Sequence, residues 1–323
     1  MILVTGATGF IGSHLVERLA AQGRSVRCLV RRAVQLPAGV ECAPGDLAAG
    51  IGLAEALRGV DTVIHLAGVT KALAAADYDR GNRLATANLL CAAAGVTRLV
   101  HVSSLAAAGP SPRDGALTED DPPRPISLYG RSKLAGEAAV RASALAVRSI
   151  IIRPPVVYGP RDKDVFQVLR SVARGWMIEV GQAPSQTPRR FSHIYVGDLV
   201  DGLIAAADAP GAAGEVFYIA NLTPSSWQEF AAMAARLMNR RFRIVNIPER
   251  AAYAMGYCAE VWSRLTSKPG ILSRDKVREA VCPGWVCDPS RVRQQLGFCA
   301  GASLEEGLRR TLDWYKEAGW LRF

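Results

Sequence analysis

The sequence has no apolar stretch long enough to cross a membrane. Gly, Arg or Asp interrupts each apolar run well before the ~18 residues that a membrane span requires. No basic segment precedes the first apolar residues, Met1–Val4, so we expect no signal peptide. Internal repeats and low-complexity tracts are also absent. These absences predict a globular cytoplasmic protein without a membrane span.

Cysteine is scarce and shows no metal-binding pattern. The chain has seven cysteines, an odd number, and no two of them form a Cys-x-x-Cys pair. This usage fits reduced, mostly buried thiols in a cytoplasm rather than a disulfide framework. Cys282 and Cys287 have no matching pair of ligands nearby, so we predict no metal site.

Acidic residues are outnumbered by basic ones. Lys and Arg total 39 against 29 Asp and Glu, which gives a net charge of +10. The excess could attract anionic ligands or surfaces, or it could be a solvated basic surface. The arginines are scattered rather than arranged in a stripe, and no nucleic-acid-binding signature is present. We therefore expect a small-molecule substrate and no nucleic-acid partner.

Short β-like runs alternate with helical patterns through the first two-thirds of the 323 residues. This alternation predicts an α/β fold, a Rossmann-type doubly wound parallel sheet with a smaller, interleaved C-terminal substrate lobe. The expected domain division assigns 1–160 to the cofactor-binding domain with a return near 191–220, and 161–190 with 221–323 to the lobe. The predicted strands are Ile2–Val4, Ser25–Val30, Thr62–Leu66, Leu99–Val102, Ile150–Arg153 and Val216–Ile219. The predicted helices are Phe10–Ala21, Leu53–Leu57, Tyr78–Ala94, Leu128–Ala144, Trp227–Met238 and Leu304–Tyr315.

The apolar stretch Ala251–Leu265 has a roughly helical pattern and few charges. It fits a core helix of the lobe. It also fits a lid, or a peripheral membrane-surface contact beside a lipophilic site.

A glycine turn directly follows the first predicted strand, with the pattern Gly6-x-x-Gly9-x-x-Gly12. The first glycine permits the tight turn, the second lets backbone approach a pyrophosphate, and the third lets the following helix pack close to the sheet. The helix N-terminus then offers free N–H groups and partial positive charge to phosphates. The position of this turn predicts a dinucleotide cofactor.

The second predicted strand ends at Arg31 and Arg32, where an acidic residue would hold the ribose 2′-hydroxyl of NAD. Arginines at this place suit the 2′-phosphate of NADP instead. The sequence therefore favours NADP over NAD, although exposed strand-end charges would look the same.

Tyr129 and Lys133 stand four residues apart near the start of a predicted helix, so they share one face. A nearby ammonium and a positive nicotinamide would lower the pKa of the phenol toward the working range of an acid/base group. The pair Ser103 and Ser104 ends an earlier strand, where a hydroxyl can hold a substrate oxygen. Together these residues predict an alcohol–ketone oxidoreductase.

These motifs, taken in order, resemble those of the extended short-chain dehydrogenases/reductases, the NAD-dependent epimerase/dehydratase family that includes sugar-nucleotide epimerases, dihydroflavonol reductases and 3β-hydroxysteroid dehydrogenases. The resemblance covers nearly the whole chain. The matching segments are TGATGFIG at 5–12, Gly45-Asp46-Leu47, His65-Leu66-Ala67-Gly68, Asn82, Ser103-Ser104, the Tyr129/Lys133 pair, Arg153–Pro160, Trp285, Asp288, Leu296-Gly297-Phe298 and Trp314-Tyr315.

The resemblance implies roles for individual residues. Tyr129 would be the catalytic acid/base, Lys133 its partner and Ser104 the hydroxyl donor, with a homodimer formed through the helix that carries Tyr129. The residues implied to contact the cofactor, besides Arg31 and Arg32, are Gly6, Thr8, Gly9, Phe10, Ile11, Gly12, Asp46, Leu47, Leu66, Ala67, Gly68, Asn82, Val102, Ser103, Tyr129, Lys133, Pro154 and Val156.

The substrate side departs from the sugar-nucleotide members of that family. Where they resemble one another in an arginine that grips the substrate diphosphate, this chain has Phe191, with Arg189 and Arg190 near but displaced. A second such arginine has no counterpart in 281–285. The loop that begins at Leu105 is small and apolar, which suits a bulky, weakly polar substrate. We therefore expect Leu105 and Phe191 to contact a steroid-like or similar alcohol or ketone.

Two alternatives remain open at this point. One is a nucleotide-sugar epimerase or dehydratase that recycles its cofactor, and the other is a non-catalytic NADP-binding subunit.

Overall fold

The computed structural model describes residues 1–181, 187–209, 214–266, 270 and 272–323. Seven parallel strands form its central sheet, and the other strands pair in three small sheets. The strands, in chain order, are β1 (Ile2–Thr5), β2 (Val26–Val30), β3 (Glu41–Pro44), β4 (Thr62–His65), β5 (Arg98–Val102), β6 (Ser149–Ile152), β7 (Val156–Tyr158), β8 (Trp176–Val180), β9 (Arg190–Phe191), β10 (His193–Tyr195), β11 (Val216–Phe217), β12 (Ser225–Ser226), β13 (Arg243–Ile247) and β14 (Gly284–Trp285).

The helices flank the sheets and account for most of the C-terminal third. In chain order they are α1 (Phe10–Ala21), α2 (Leu53–Ala56), α3 (Ala75–Tyr78), α4 (Ala85–Ala92), α5 (Leu105–Ala108), α6 (Leu128–Arg141), α7 (Val165–Ala173), α8 (Val196–Asp208), α9 (Trp227–Leu237), α10 (Glu249–Thr266), α11 (Arg274–Ala280), α12 (Ser290–Leu296) and α13 (Leu304–Glu317).

The central sheet has the strand order β11-β6-β5-β4-β1-β2-β3. Its inner strands are almost entirely buried because helices cover both faces of a parallel sheet. One face packs on α1 and α8 through side chains such as Leu15 and Leu203, and the other packs on α2, α4 and α6 through Leu53, Leu89 and Val140. The fold is therefore the doubly wound Rossmann-type architecture that the sequence predicted.

The order of the strands creates a crevice at the carboxyl edge of the sheet. From β1 the chain continues outward to β2 and β3, and then returns to β4 on the opposite side of β1. Ligands of open α/β sheets bind at such a switch point, outside the carboxyl ends of the strands. The loops after β1, β4, β5 and β6 all meet at this edge.

The C-terminal part of the chain builds a second core from aromatic side chains. Tyr158, Phe191, Phe230 and Tyr315 are buried there against α7, α9 and α13. The small sheets border this core. In them β7 pairs with β10, β9 lies between β12 and β14, and β8 pairs with β13.

Some boundaries differ from the predicted ones. The strand predicted over Val216–Ile219 ends at Phe217. The helix predicted over Tyr78–Ala94 is not regular, because a π-helical turn at Asp79–Leu84 separates α3 from α4. Strand β3 was not predicted, since Glu41–Pro44 is an edge strand with mostly exposed residues.

No helix among the described residues is both long and apolar enough to span a membrane.

Candidate active site

The glycine turn lies at the crevice with the geometry that its spacing predicted. Gly6 follows β1 with φ of +72°, a conformation that favours glycine. A Cβ at Gly12 would lie 2.2 Å from the carbonyl oxygen of Gly6, so only glycine lets α1 approach the turn this closely. The turn and the start of α1 therefore form a tight backbone cradle beside β4.

The N-terminus of α1 is suited to hold an anion. Gly9 occupies its N-cap position, no side chain caps the helix, and its first turn has no acidic residue. The free N–H groups and the helix dipole at this end point into the crevice and favour a phosphate group. The residues present at this cradle fit the pyrophosphate of a dinucleotide.

Arg31 and Arg32 follow β2 and are exposed, at the place predicted for an adenosine ribose or its 2′-phosphate. The neighbouring acidic residue, Asp46, is half-buried, and its carboxylate is hydrogen-bonded to backbone N–H groups. Its Oδ1 accepts hydrogen bonds from the N–H groups of Ala48 and Ala49 at 2.8 and 3.2 Å. Asp46 therefore shapes the turn after β3, while the arginine side chains remain accessible.

The loop after β4 links the glycine turn to the residues on α6. A Cβ at Gly6 would lie 2.7 Å from the Ala67 nitrogen, and a Cβ at Gly68 would lie 3.5 Å from the Lys133 ammonium. Ala67 and Gly68 thus line the path between the phosphate cradle and Lys133, as predicted for residues along a cofactor.

Asn82 fixes this loop. Its side chain accepts a hydrogen bond from the Val69 N–H at 2.8 Å, and donates to the Val69 carbonyl and to Ser132 Oγ at 3.0 and 2.7 Å. Asn82 is buried and lies within the π-helical turn. In the structure its amide is committed to protein groups, so we assign it the shaping of the loop rather than a direct cofactor contact.

Tyr129 is the second residue of α6, and its neighbours bring it to Ser104. The N-cap residue Ser127 accepts a hydrogen bond from the Gly130 N–H at 3.1 Å. A Cβ at Gly130 would lie 2.2 Å from the Ala106 carbonyl oxygen, so glycine here allows α6 to pack closely on α5. Ser104 caps α5 and lies close enough to the Tyr129 hydroxyl to lower its pKa by hydrogen bonding. The structure therefore brings together the Ser–Tyr pair predicted from sequence.

Lys133 lies one helical turn further along α6 and is buried. Its ammonium donates a hydrogen bond to the Val102 carbonyl at 2.7 Å, at the end of β5. Burial lowers the pKa of Lys133 to about 8, and the nearby negative charge of Glu137 opposes that change. The position of the ammonium between β5 and Gly68 places it on the cofactor side of Tyr129.

A buried ion pair between Arg153 and Glu137 stabilises the sheet edge next to these residues. The guanidinium of Arg153 donates to both carboxylate oxygens of Glu137, at 2.8 and 2.7 Å. Ser103 Oγ donates to the same carboxylate at 2.6 Å. Ser103 thus supports the end of β5, whereas Ser104 faces Tyr129. Arg153 belongs to a motif recognised in the sequence, but Glu137 was not predicted because its partner lies 16 residues away in the chain.

The surroundings of Tyr129 contain three polar residues that sequence reasoning missed. The ring of Tyr78 lies 6.3 Å from that of Tyr129 between centroids. Lys276 and Glu279 of α11 lie close enough to change the pKa of Tyr129 by their charges, and Lys276 donates to Glu279 Oε2 at 2.7 Å. Lys276 and Glu279 lie in a segment, 274–280, that has the pattern of an exposed charged helix. Nothing in this pattern predicts that the helix lies beside Tyr129.

The pKa of Tyr129 is raised in this environment, where the sequence had predicted a lowered value. Burial is the largest cause, because it penalises the phenolate. The hydrogen bond to Ser104 and the positive charge of Lys276 act in the opposite direction, and Glu279 and Tyr78 raise the pKa further. Lys276 is therefore a cation near Tyr129 that was not predicted from the sequence.

Helix α11 is fastened over the start of α6. The carboxylate of Asp275 accepts a hydrogen bond from the Leu128 N–H at 2.8 Å, and Arg278 donates to the Ile126 carbonyl at 3.3 Å. A cleft of about 370 Å³ lies between α10, α11 and residues 70–73, and Tyr78, Leu128 and Lys276 are among the residues that line it. Tyr78 and Leu128 are neighbours of Tyr129, so the cleft lies close to that residue.

The two residues predicted to contact the substrate are core residues. Leu105 is buried and packs with Tyr218 and Cys287. Phe191 is only 3% exposed and stacks on Trp227 at 4.2 Å between ring centroids. Contact of either side chain with a substrate would require its neighbours to move. The residues lining the cleft are better placed for that contact.

The arginines near Phe191 are occupied by backbone carbonyls. Arg189 donates to the carbonyls of Val180, Gly181 and Ala280 at 2.6, 3.0 and 3.1 Å. Arg190 donates to the Pro224 carbonyl. Arg189 therefore holds the lobe together through three carbonyls, whereas Arg190 is exposed and uses only one of its N–H groups in this way.

Pro154 and Val156 lie beyond β6, near Ser104. The Pro154 carbonyl accepts a hydrogen bond from the Leu105 N–H at 2.9 Å, which joins the two loops. This contact places both residues at the carboxyl edge, where a nicotinamide was predicted.

Comparison with known proteins gives a family match over residues 2–220, to the model described as "NAD dependent epimerase/dehydratase family". A curated relative, the ceramide reductase of Caulobacter vibrioides, is 33% identical, with 99% of this chain and 96% of the relative covered. The N-acetyl-alpha-D-glucosaminyl-diphospho-ditrans,octacis-undecaprenol 4-epimerase of Escherichia coli O157:H7 is 28% identical over 97% of this chain and 94% of the relative.

Among solved structures, MoeE5 in complex with UDP-glucose and NAD is similar to this chain. The TM-score is 0.78 and the identity 29%, over 98% of this chain and 99% of the other. The similarity in both sequence and structure therefore extends over both the sheet and the C-terminal lobe.

Proposed function

The chain belongs to the NAD dependent epimerase/dehydratase family, and from this premise we propose that it reduces a bulky, weakly polar ketone to a secondary alcohol, or catalyses the reverse oxidation. The observation that carries the proposal is the proximity of Ser104 to the Tyr129 hydroxyl, with the Lys133 ammonium one helical turn along α6, at the crevice of the glycine turn. These residues are the acid/base set that alcohol–ketone chemistry requires.

A bound nicotinamide would supply or accept the hydride. In the reduction, Tyr129 gives its proton to the substrate oxygen, and in the oxidation its phenolate removes the hydroxyl proton. Ser104 holds the same oxygen through a hydrogen bond. Lys133 lies between Gly68 and Val102, where it can hold the nicotinamide ribose and supply positive charge. Positioning and fixed dipoles supply most of the acceleration.

We propose NADP as the preferred cofactor, because Arg31 and Arg32 are both exposed at the end of β2. A charge-assisted hydrogen bond to the 2′-phosphate would distinguish NADP from NAD. In a binding assay, the double variant Arg31→Ala/Arg32→Ala should lose affinity for NADPH by about tenfold or more, with little change for NADH. Tighter binding of NADH than NADPH by the wild-type protein would overturn this preference.

The substrate proposal follows from the cleft and from the position of Phe191. Phe191 stands where sugar-nucleotide members have an arginine, and the neighbouring Arg189 is committed to three backbone carbonyls, which disfavours a nucleotide-diphosphate substrate. Near Tyr129, Glu279 has one carboxylate oxygen, Oε1, that is buried and has no hydrogen-bond partner within the described residues. A substrate hydroxyl could satisfy it. The ceramide reductase among the relatives agrees with a long-chain substrate that carries few polar groups.

The experiment is a spectrophotometric assay of NAD(P)H consumption with long-chain keto-amides, keto-sterols and, as the competing class, UDP-sugars. We expect net oxidation of NADPH with a ketone of the first two kinds and none with UDP-sugars. Interconversion of UDP-sugars without net change in NAD(P)H would identify an epimerase that recycles its cofactor and would contradict the proposal.

We also propose a homodimer formed through α6, as the family resemblance implied. Analytical ultracentrifugation would test it.

A further inference from the structure

Helix α10 has its small residues inside and its large apolar residues outside. Its buried positions are Ala252, Gly256 and Ser263, which let the helix approach the rest of the lobe. The opposite face carries Met255, Val261, Trp262 and Leu265 toward solvent, at spacings of three, four and seven residues. A helix of a globular domain normally shows the reverse arrangement.

The exposed fractions are large for such side chains. Trp262 is 69% exposed and Leu265 76% exposed, and Ile244 and Val245 on β13, which leads into α10, are 44% and 48% exposed. Ala251, Ala254 and Cys258 complete the outer face of α10 without a polar interruption. A continuous apolar face of this kind indicates an interaction surface.

Exposed basic residues lie near both ends of α10 and at the strand that precedes it. Arg250 and Arg264 lie on α10 and are exposed, and no ion pair is formed by either within the described ranges. Three further exposed arginines, Arg240, Arg241 and Arg243, lie where the chain enters β13. Of the acidic residues on α10, Glu260 is already paired with Arg274, which leaves only Glu249 at the start of the helix. The surface therefore combines apolar side chains with positive charge.

The charge distinguishes between the surfaces that could cover α10. A second copy of this chain, placed symmetrically on this face, would bring two sets of arginines together, which is unfavourable. The surface of a bilayer that contains anionic lipids presents an apolar interior beneath negative headgroups. An amphipathic helix with a basic border binds such a surface in the interfacial plane.

Another side of the same helix lines the cleft close to Tyr129. Tyr253, Ser263 and Arg264 of α10 border the cleft on one side, and Tyr78 and Leu128 border it on the other. One helix therefore separates the cleft from the exposed apolar face. We propose that the outer face of α10 docks on the surface of an anionic lipid bilayer, so that the cleft lies next to the membrane. The docking goes beyond the proposed reaction and does not depend on it.

The experiment is co-sedimentation of the full-length protein with vesicles of phosphatidylcholine, with and without phosphatidylglycerol. We expect binding to the anionic vesicles that weakens at high salt. The variant Trp262→Asp/Leu265→Asp should reduce this binding by about tenfold or more, because two large apolar anchors are lost. The matched control, Val147→Asp, replaces a side chain that is 74% exposed on another part of the surface and should bind as the wild type does.

A second variant, Arg241→Glu/Arg243→Glu, tests the charge without changing the helix and should also weaken binding to anionic vesicles. Thermal unfolding of each variant verifies that it is folded. Absence of binding to anionic vesicles, or equal binding by the Trp262→Asp/Leu265→Asp variant, would overturn the proposal. So would self-association of the wild type that this variant abolishes, since a second copy would then cover α10. Turnover is not needed for any of these measurements, so their failure is distinct from failure of the proposed reaction.

Discussion

At the scale of single residues, the candidate site depends on a buried carboxylate that binds Ser103 and Arg153. Glu137 joins the ends of β5 and β6 to α6 through Ser103 and Arg153. Both members of the ion pair are at most 1% exposed, so water cannot replace a lost partner. A charge left alone in such a place is costly.

We therefore expect Glu137→Ala to lower the free energy of unfolding by about 3–5 kcal/mol, since Arg153 would remain buried and unpaired. Urea denaturation measures this change. The matched control is Glu305→Ala, which removes a carboxylate paired with Arg236 and Arg309 on the surface. Because exposed pairs contribute little, that variant should lose less than about 1 kcal/mol. Equal losses in the two variants would show that the buried pair has no special structural role.

At the scale of elements, the close approach of helices to the sheet edge is made by backbone rather than by side chains. Gly12 lets α1 meet the turn after β1, and Gly130 lets α6 meet α5. These two contacts determine where the phosphate cradle and Tyr129 lie relative to each other. A side chain as small as methyl would separate the elements.

Gly12→Ala should destabilise the protein by about 1–3 kcal/mol through overpacking, and should weaken binding of the dinucleotide. Gly95→Ala is the matched control, because no atom lies within 4 Å of the Cβ it would add. Thermal unfolding and cofactor titration of the two variants give the comparison. If Gly12→Ala bound the cofactor as tightly as Gly95→Ala, the turn could not be the cradle for the pyrophosphate.

At the scale of the whole molecule, the C-terminal lobe completes the surroundings of Tyr129. The hydrogen bond from the Leu128 N–H to Asp275 joins residues 147 positions apart, and it brings Lys276 and Glu279 toward the tyrosine. The pKa of Tyr129 therefore depends on a helix of the lobe as well as on its own helix. This contact couples the position of the lobe to the chemistry at the sheet edge.

Removing the positive charge of Lys276 should raise the pKa of Tyr129, because that charge favours the phenolate. Since the oxidation requires the phenolate, the rise of kcat/KM with pH should move to higher pH in Lys276→Gln. Lys276→Arg, which retains the charge, should leave the profile near that of the wild type. A pH–rate profile that is identical in Lys276→Gln and the wild type would place Lys276 outside the influence on Tyr129.

The sequence predicted the parts of this molecule that depend on local patterns. The inner strands, the glycine turn at Gly6 and the spacing of Tyr129 and Lys133 are all local, and the structure has them at the predicted places or within a few residues of them. The edge strand β3 lacks such a pattern, because its residues are mostly exposed. Two-residue strands such as β9 and β14 are equally invisible, since they form only when distant segments meet.

The substrate side could not be predicted for the same reason. Phe191 is expected to contact the substrate because it occupies a family position. In the structure it stacks on Trp227, and this contact exists only once the lobe is packed. Lys276 and Glu279 lie near Tyr129 only because α11 folds back over α6. Their charges look like an exposed helix in the sequence, and nothing local distinguishes them from one.

The role of Tyr129 as the acid/base is tested most directly by measuring the turnover of Tyr129→Phe, with binding of the dinucleotide measured in the same preparation. The substitution removes the proton that the substrate oxygen receives while it leaves the glycine turn and Lys133 in place. We expect kcat to fall by about 100-fold or more, with cofactor affinity nearly unchanged. A variant that retained most of its turnover would contradict the assignment of Tyr129 as the acid/base.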